Sequence, residues 1–111
     1  MKKKILILLP TLNEVHHIQL LYKKISRLDI KVDILFIDDG SKDGTWKEIL
    51  KIKKKNRKKI FTIKRNKRKG LGKAHKDGLN WAYSQNYNFL ITMDTDFAHD
   101  PKYIPLLIKE I

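Results

Sequence analysis

Two carboxylates separated by one residue, in Met93-Asp94-Thr95-Asp96, follow directly on the apolar run Phe89-Leu90-Ile91-Thr92-Met93. An unpaired charge is costly to bury, so these acids belong at the end of a strand and not in a core. There they suit a divalent cation. Mg²⁺ takes only one or two carboxylates and fills its other positions with water and substrate phosphate oxygens. The pair therefore reads as a metal–diphosphate site at a strand tip. Taken alone, it is equally compatible with a solvated acidic turn.

Three other segments carry residue types that could do chemistry. Asp38-Asp39-Gly40-Ser41-Lys42-Asp43-Gly44-Thr45 has glycines for tight turns and, in Asp43 or Thr45, a cap for a following helix. A capped turn accounts for Ser41, Asp43 and Gly44. It accounts poorly for Asp38 and Asp39, because adjacent like charges repel. A carboxylate just past a strand can instead hold a ribose hydroxyl or a base N–H. In Pro10-Thr11-Leu12-Asn13-Glu14, Asn13 and Glu14 could be only a helix cap and a first-turn acid. Lys69-Gly70-Leu71-Gly72-Lys73 combines glycines, helix N–H groups and lysines, the ingredients of an anion site, or of a plain loop-to-helix junction.

Short β-branched runs alternate with helical periodicities around these segments. Strands are predicted over 4–9, 32–37, 60–63 and 89–93. Between them, Val15, Ile18, Tyr22, Ile25 and Leu28 predict a helix over 15–28. A second starts at Thr45, with Trp46, Ile49, Leu50 and Lys53 on one stripe. A third spans 72–84 with Ala74, Gly78, Trp81 and Ala82 inward, and a fourth begins near Lys102 after Pro101. The order β-α-β-α-β-α-β-α implies an α/β fold, with a four-stranded, mostly parallel sheet and helices on both faces. Ligands of such sheets sit beyond the carboxyl ends of the strands. All four suggestive segments fall on that edge, the strongest argument from the residues for a site.

Composition narrows the alternatives. The 111 residues form one domain, 1–111, with no repeat or linker, and 41% of them are hydrophobic. No cysteine is present, which excludes disulfides, a thiolate nucleophile and a zinc–thiolate centre. The four histidines, His16, His17, His75 and His99, have no metal-ligand spacing, although His99 lies in the acidic loop. Neither a G-x-G-x-x-G nor a Walker A pattern occurs, against a classical dinucleotide binder and a P-loop NTPase. The apolar run 5–9 falls far short of the ~20 residues of a membrane span. Lys2, Lys3 and Lys4 before it have the charge order of a signal peptide, but no small-residue cleavage site follows. A cytoplasmic chain is expected. Trp46 and Trp81 are expected in the core. The net charge of +13 is concentrated in 51–76, where every charged residue is basic. Such a run could cover a wet face or meet nucleic acid, anionic lipid or a phosphorylated substrate. Nucleic acid is disfavoured, because no interleaved aromatics or reading motif accompany the charge. A peripheral contact with an anionic membrane face fits better.

Together, Pro10-Thr11-Leu12-Asn13-Glu14, Asp38-Asp39-Gly40-Ser41-Lys42-Asp43-Gly44-Thr45, Gly70-Leu71-Gly72 with Ala74 and Gly78, and Met93-Asp94-Thr95-Asp96 with His99-Asp100-Pro101 resemble family 2 glycosyltransferases. The match is nearest to the dolichyl- or polyprenyl-phosphate mannosyltransferase branch. The resemblance spans residues ~4–111 and implies a GT-A fold and inverting transfer of a hexose from a nucleotide donor, GDP-mannose or a UDP-hexose, to a polyprenyl or dolichyl phosphate. It implies that Pro10, Leu12 and Glu14 line the nucleoside pocket and that Ile37 and Asp39 contact base or ribose. It also implies that Asp94 and Asp96, with Thr95 beside them, are the catalytic acids that hold Mg²⁺ or Mn²⁺ on the donor diphosphate. Lys69 and Gly70 would belong to the donor-binding residues, and Lys69 and Lys73 would assist the diphosphate electrostatically. Two positions depart from the pattern. Ala98 stands where relatives often have Gln or Ser and has no ligand atom, and Leu12 replaces an aromatic of some relatives. Because family domains continue well beyond this length, the chain is expected to correspond to the N-terminal, donor-binding half. A catalytically incomplete nucleotide-sugar-binding fragment, or a subunit needing a partner chain, is the alternative.

Overall fold

A computed structural model describes residues 4–67 and 69–93. Its elements run β1 (Ile5–Thr11), α1 (Ile18–Ser26), β2 (Asp33–Asp38), α2 (Thr45–Lys55), β3 (Ile60–Lys64), α3 (Leu71–Ser84) and β4 (Phe89–Thr92). The four strands make one sheet in the order β3-β2-β1-β4, and every pairing is parallel. The α/β class and the sheet expected from the alternating pattern are thus present. The helix expected near Lys102 lies outside the described residues.

The sheet separates two apolar layers. Strand alternation sends Ile7, Leu9, Ile34 and Phe36 to one face, where α1 adds Ile18, Leu21 and Ile25 and α2 adds Ile49 and Ile52. Leu6, Leu8, Leu35 and Ile37 point to the other face, beneath Ala74 and Ala82 of α3. The inner strands are covered on both sides, so β1 reads Ile-Leu-Ile-Leu-Leu without polar interruption. Trp46 and Trp81 pack half-buried against the two layers.

Two packing details depart from the periodicity. On α2 the inward stripe is Thr45, Ile49 and Ile52, and Leu50 is 43% exposed. Grouping Leu50 with Ile49 overlooked that consecutive residues lie ~100° apart on a helix, so only one can face the sheet. On α3, Gly78 sits directly over the sheet. A Cβ there would lie 2.5 and 2.6 Å from the two methyls of Leu8 and 3.1 Å from Ile37 Cδ1. The missing side chain is what lets α3 approach.

Chain direction reverses once. From β1 the strands step to β2 and β3, and α3 then carries the chain back across the sheet to β4, on the far side of β1. The carboxyl ends of β1 and β4 flank that reversal, the position where open α/β sheets form a ligand crevice.

Candidate functional site

The loops that leave β1, β2 and β3 at their carboxyl ends are bonded to one another through side chains. After β1, Asn13 adopts φ 54°, a left-handed conformation that Asn tolerates better than most residues. Its amide donates to Ser41 Oγ (2.8 Å), and its Oδ1 accepts the Lys42 amide (2.9 Å). The next two amides continue the seam: Glu14 N–H donates to Thr45 Oγ1 (2.8 Å) and Val15 N–H to Asp43 Oδ2 (3.2 Å). Asp43 also accepts the Thr45 amide (3.0 Å) and hydroxyl. Burial pushes the Asp43 carboxyl up, but these donors outweigh it and hold the group below its usual range. The cap position of α2 is Gly44, with φ 96°, and Asp43 acts through the Thr45 amide beyond it. Asn13 and Glu14 do not cap α1, which starts later, at Ile18. They bind the second loop instead.

The adjacent acids divide their work. Asp38 is fully buried and accepts Thr11 Oγ1 (2.8 Å), the Ser41 amide (2.9 Å) and Ser41 Oγ (2.5 Å). It is a turn organiser after all. Sequence alone judged the pair of charges unrewarding because the three donors were not visible. Asp39 is also fully covered. Its Oδ1 accepts the Lys69 amide (2.8 Å) and its Oδ2 the Gly70 amide (2.9 Å), while Arg65 Nη1 lies 3.4 Å from Oδ1. Burial raises this carboxyl, yet the two amides and the guanidinium together bring it below its ordinary value, so it stays ionised near neutrality. The anion held by the amides of Lys69 and Gly70 is therefore Asp39 itself. A buried carboxylate takes the nearest preorganised donors, so these two amides, which precede the first residue of α3, are held by Asp39.

Arg65 is a residue that motif reading passed over. Counted only as one charge in a basic run, it is 6% exposed and bridges Asp39 to Asp77 of α3, with Nη2 2.5 Å from Asp77 Oδ2. Its position follows from the strand register, which the motifs did not contain. In a parallel register where Asp38 pairs with Lys64, the next residues along, Asp39 and Arg65, must be neighbours.

The other expected site residues are distributed as follows. Pro10 is buried at the end of β1, and Leu12 and Glu14 are half-buried in the loop beyond it. Glu14 meets His17 Nδ1 at 3.0 Å. Ile37 points into the core under α3, so it could meet a ligand only through its main chain. Lys69 and Lys73 are exposed, and Gly70 takes φ 94° at the entry to α3. Asp94, Thr95, Asp96, Ala98 and His99 lie outside the described residues. The strand leading into them ends beside β1, where Met93 N–H donates to Leu8 O at 3.2 Å. Among the described residues no three His, Cys, Asp or Glu side chains are grouped to hold a metal.

Known proteins resemble this chain in sequence and in fold. The chain is 35% identical over 105 residues to an uncharacterized protein of Methanocaldococcus jannaschii, covering 94% of this chain and 45% of that one. It is 28% identical over 109 residues to the polyprenol monophosphomannose synthase of Mycolicibacterium smegmatis, covering 98% and 41%. The chain thus spans less than half the length of these relatives. Among solved structures, the mannosyltransferase PcManGT of Pyrobaculum calidifontis, in complex with GDP-Man and Mn²⁺, superposes with a TM-score of 0.77 at 19% identity, over 86% of this chain and 28% of that one. At that identity the likeness establishes the fold. Membership rests on the family model, which matches residues 6–111: the chain belongs to glycosyl transferase family 2.

Proposed function

We propose that this chain is the donor-binding part of a metal-dependent inverting glycosyltransferase that moves a hexose, mannose from GDP-mannose, onto a polyprenyl or dolichyl phosphate. The observation that carries the reading is the strand order. Because β4 returns to the far side of β1 and pairs with it in parallel as far as Thr92 opposite Leu8, the strand that runs into Asp94 and Asp96 ends at the reversal point, on the same sheet edge from which β1 leads into the loop of Leu12 and Glu14. The mannosyl acceptors named among relatives, and GDP-Man with Mn²⁺ in a structural neighbour, favour the same donor and metal class.

In this reading Asp94 and Asp96 would hold Mg²⁺ or Mn²⁺, which would supply positive charge to offset that of a nucleoside diphosphate leaving group. Pro10, Leu12 and Glu14 border the nucleoside. Asp39 keeps the Lys69-Gly70 turn in place, and because it is fully covered, touching base or ribose directly requires the groups over it to move. The side chains of Lys69 and Lys73 add positive potential on the donor side. An acceptor phosphate is already anionic and needs no strong general base. Titration of GDP-mannose in the presence of Mn²⁺ tests the assignment. Binding should require the metal and disappear in Asp94→Ala/Asp96→Ala. Unchanged affinity in that variant removes the metal role.

A further inference from the structure

The basic run 51–76 is continuous in sequence but not in space. Its first part lies on α2, against one face of the sheet. Lys64, Arg65 and Lys69 sit at the strand-end edge, and Lys73 and Lys76 ride on α3 over the opposite face. What is continuous in space is the outer surface of the α1–α2 layer. Opposite the buried Ile49 and Ile52, helical phase puts Lys47, Leu50, Lys51 and Lys54 on one exposed stripe. α1 repeats the pattern with Leu20 and Lys23, and Arg27 follows at its end. The two helices lie side by side, joined by Gln19 Nε2 to Glu48 Oε2 at 2.9 Å. Glu48 is the only acid in either helix, and it also accepts Lys51 Nζ at 3.1 Å.

Leu20 and Leu50 are 49% and 43% exposed in this basic surface. Isolated exposed leucines are ordinary, but these two stand on the outer sides of their helices, on the flanks away from the Gln19–Glu48 seam and each beside lysines of its own helix, so the layer presents a broad basic surface edged by apolar side chains. We propose that the outer face of α1 and α2 docks on an anionic lipid bilayer, with the basic side chains at the headgroups and Leu20 and Leu50 at the acyl boundary. Charge complementarity names the occupant, since basic residues close to an anionic leaflet each add to the attraction and apolar side chains strengthen binding by burial. A nucleic acid fits less well. The aromatic rings on these helices, Tyr22 and Trp46, pack against the core and are not presented for stacking on bases. This proposal does not depend on the sugar-transfer reading.

Flotation of the full chain with phosphatidylcholine vesicles, with and without phosphatidylglycerol, tests it. The chain should float with the anionic vesicles and stay behind with the neutral ones. Reversing Lys47→Glu/Lys51→Glu/Lys54→Glu should cut partitioning at least about a hundredfold, at roughly fivefold per lysine. Leu50→Ser, with charge unchanged, should cut it roughly tenfold. Circular dichroism confirms that the variants fold, as expected for solvent-facing positions. Failure to float with anionic vesicles at low salt overturns the proposal, as does flotation that survives the charge reversal. A chain whose lipid binding ignores Leu50→Ser while single-stranded RNA binds it as tightly is a general polyanion binder, and that result overturns the proposal too.

Discussion

Asp39→Asn is the sharpest perturbation available at the strand-end edge. All three partners of this carboxylate are donors: the amides of Lys69 and Gly70, and Arg65. An asparagine keeps the shape but offers one acceptor atom in place of two. If its oxygen serves Lys69, its NH₂ faces the Gly70 amide, and the reverse orientation confronts both Lys69 and Arg65. An unsatisfied buried donor costs about 1–3 kcal/mol, and bonds to a charged acceptor are worth about 1.5–3 kcal/mol each. The loss should be roughly 2–4 kcal/mol, a large part of the 5–15 kcal/mol typical of a domain. Urea unfolding read by the fluorescence of Trp46 and Trp81, on opposite faces of the sheet, should show the midpoint falling by about 1–3 M. The pH dependence fixes the cause. A carboxyl lowered by folding contributes its stability above its ordinary pKa of 3.8, and that contribution fades as acid protonates it. The gap between wild type and Asp39→Asn should be full at neutral pH and narrow below about pH 4. Equal midpoints at pH 7, or a gap indifferent to acid, would refute the view that Asp39 anchors the 69–70 turn.

Two further substitutions test the packing. A methyl at Gly78 collides with Leu8 and Ile37, whereas one at Gly72 meets nothing within 4 Å. Gly78→Ala should therefore be less stable than Gly72→Ala by about 1–3 kcal/mol, although the mid-helix position would otherwise gain more from replacing glycine, a difference thermal unfolding measures directly. On α2, Ile52→Ala should cost about 2–5 kcal/mol and Leu50→Ala no more than about 0.5 kcal/mol. Similar losses at the two positions would mean that the helix is rotated from the orientation described.

Much of this molecule is written in local pattern. The element order, the parallel α/β class and the crowding of suggestive loops on one sheet edge follow from runs and periodicities within a dozen residues of each other. Gly78 was legible as an inward position for the same reason. The family motifs were legible as well, because turn residues at fixed spacings survive as strings.

Tertiary structure decided everything that depends on a partner distant in sequence. Asp38 looked wasted beside Asp39 until Thr11, 27 residues away, supplied a hydroxyl. Arg65 looked like one cation among many until the register of β2 and β3 set it between Asp39 and Asp77. The basic run became two surfaces because α2 and α3 cover opposite faces, while Lys23 and Arg27 joined the first of them from another helix. A carboxylate or guanidinium takes its role from whichever groups desolvate and bond it, and the folded sheet, not chain proximity, brings those groups together.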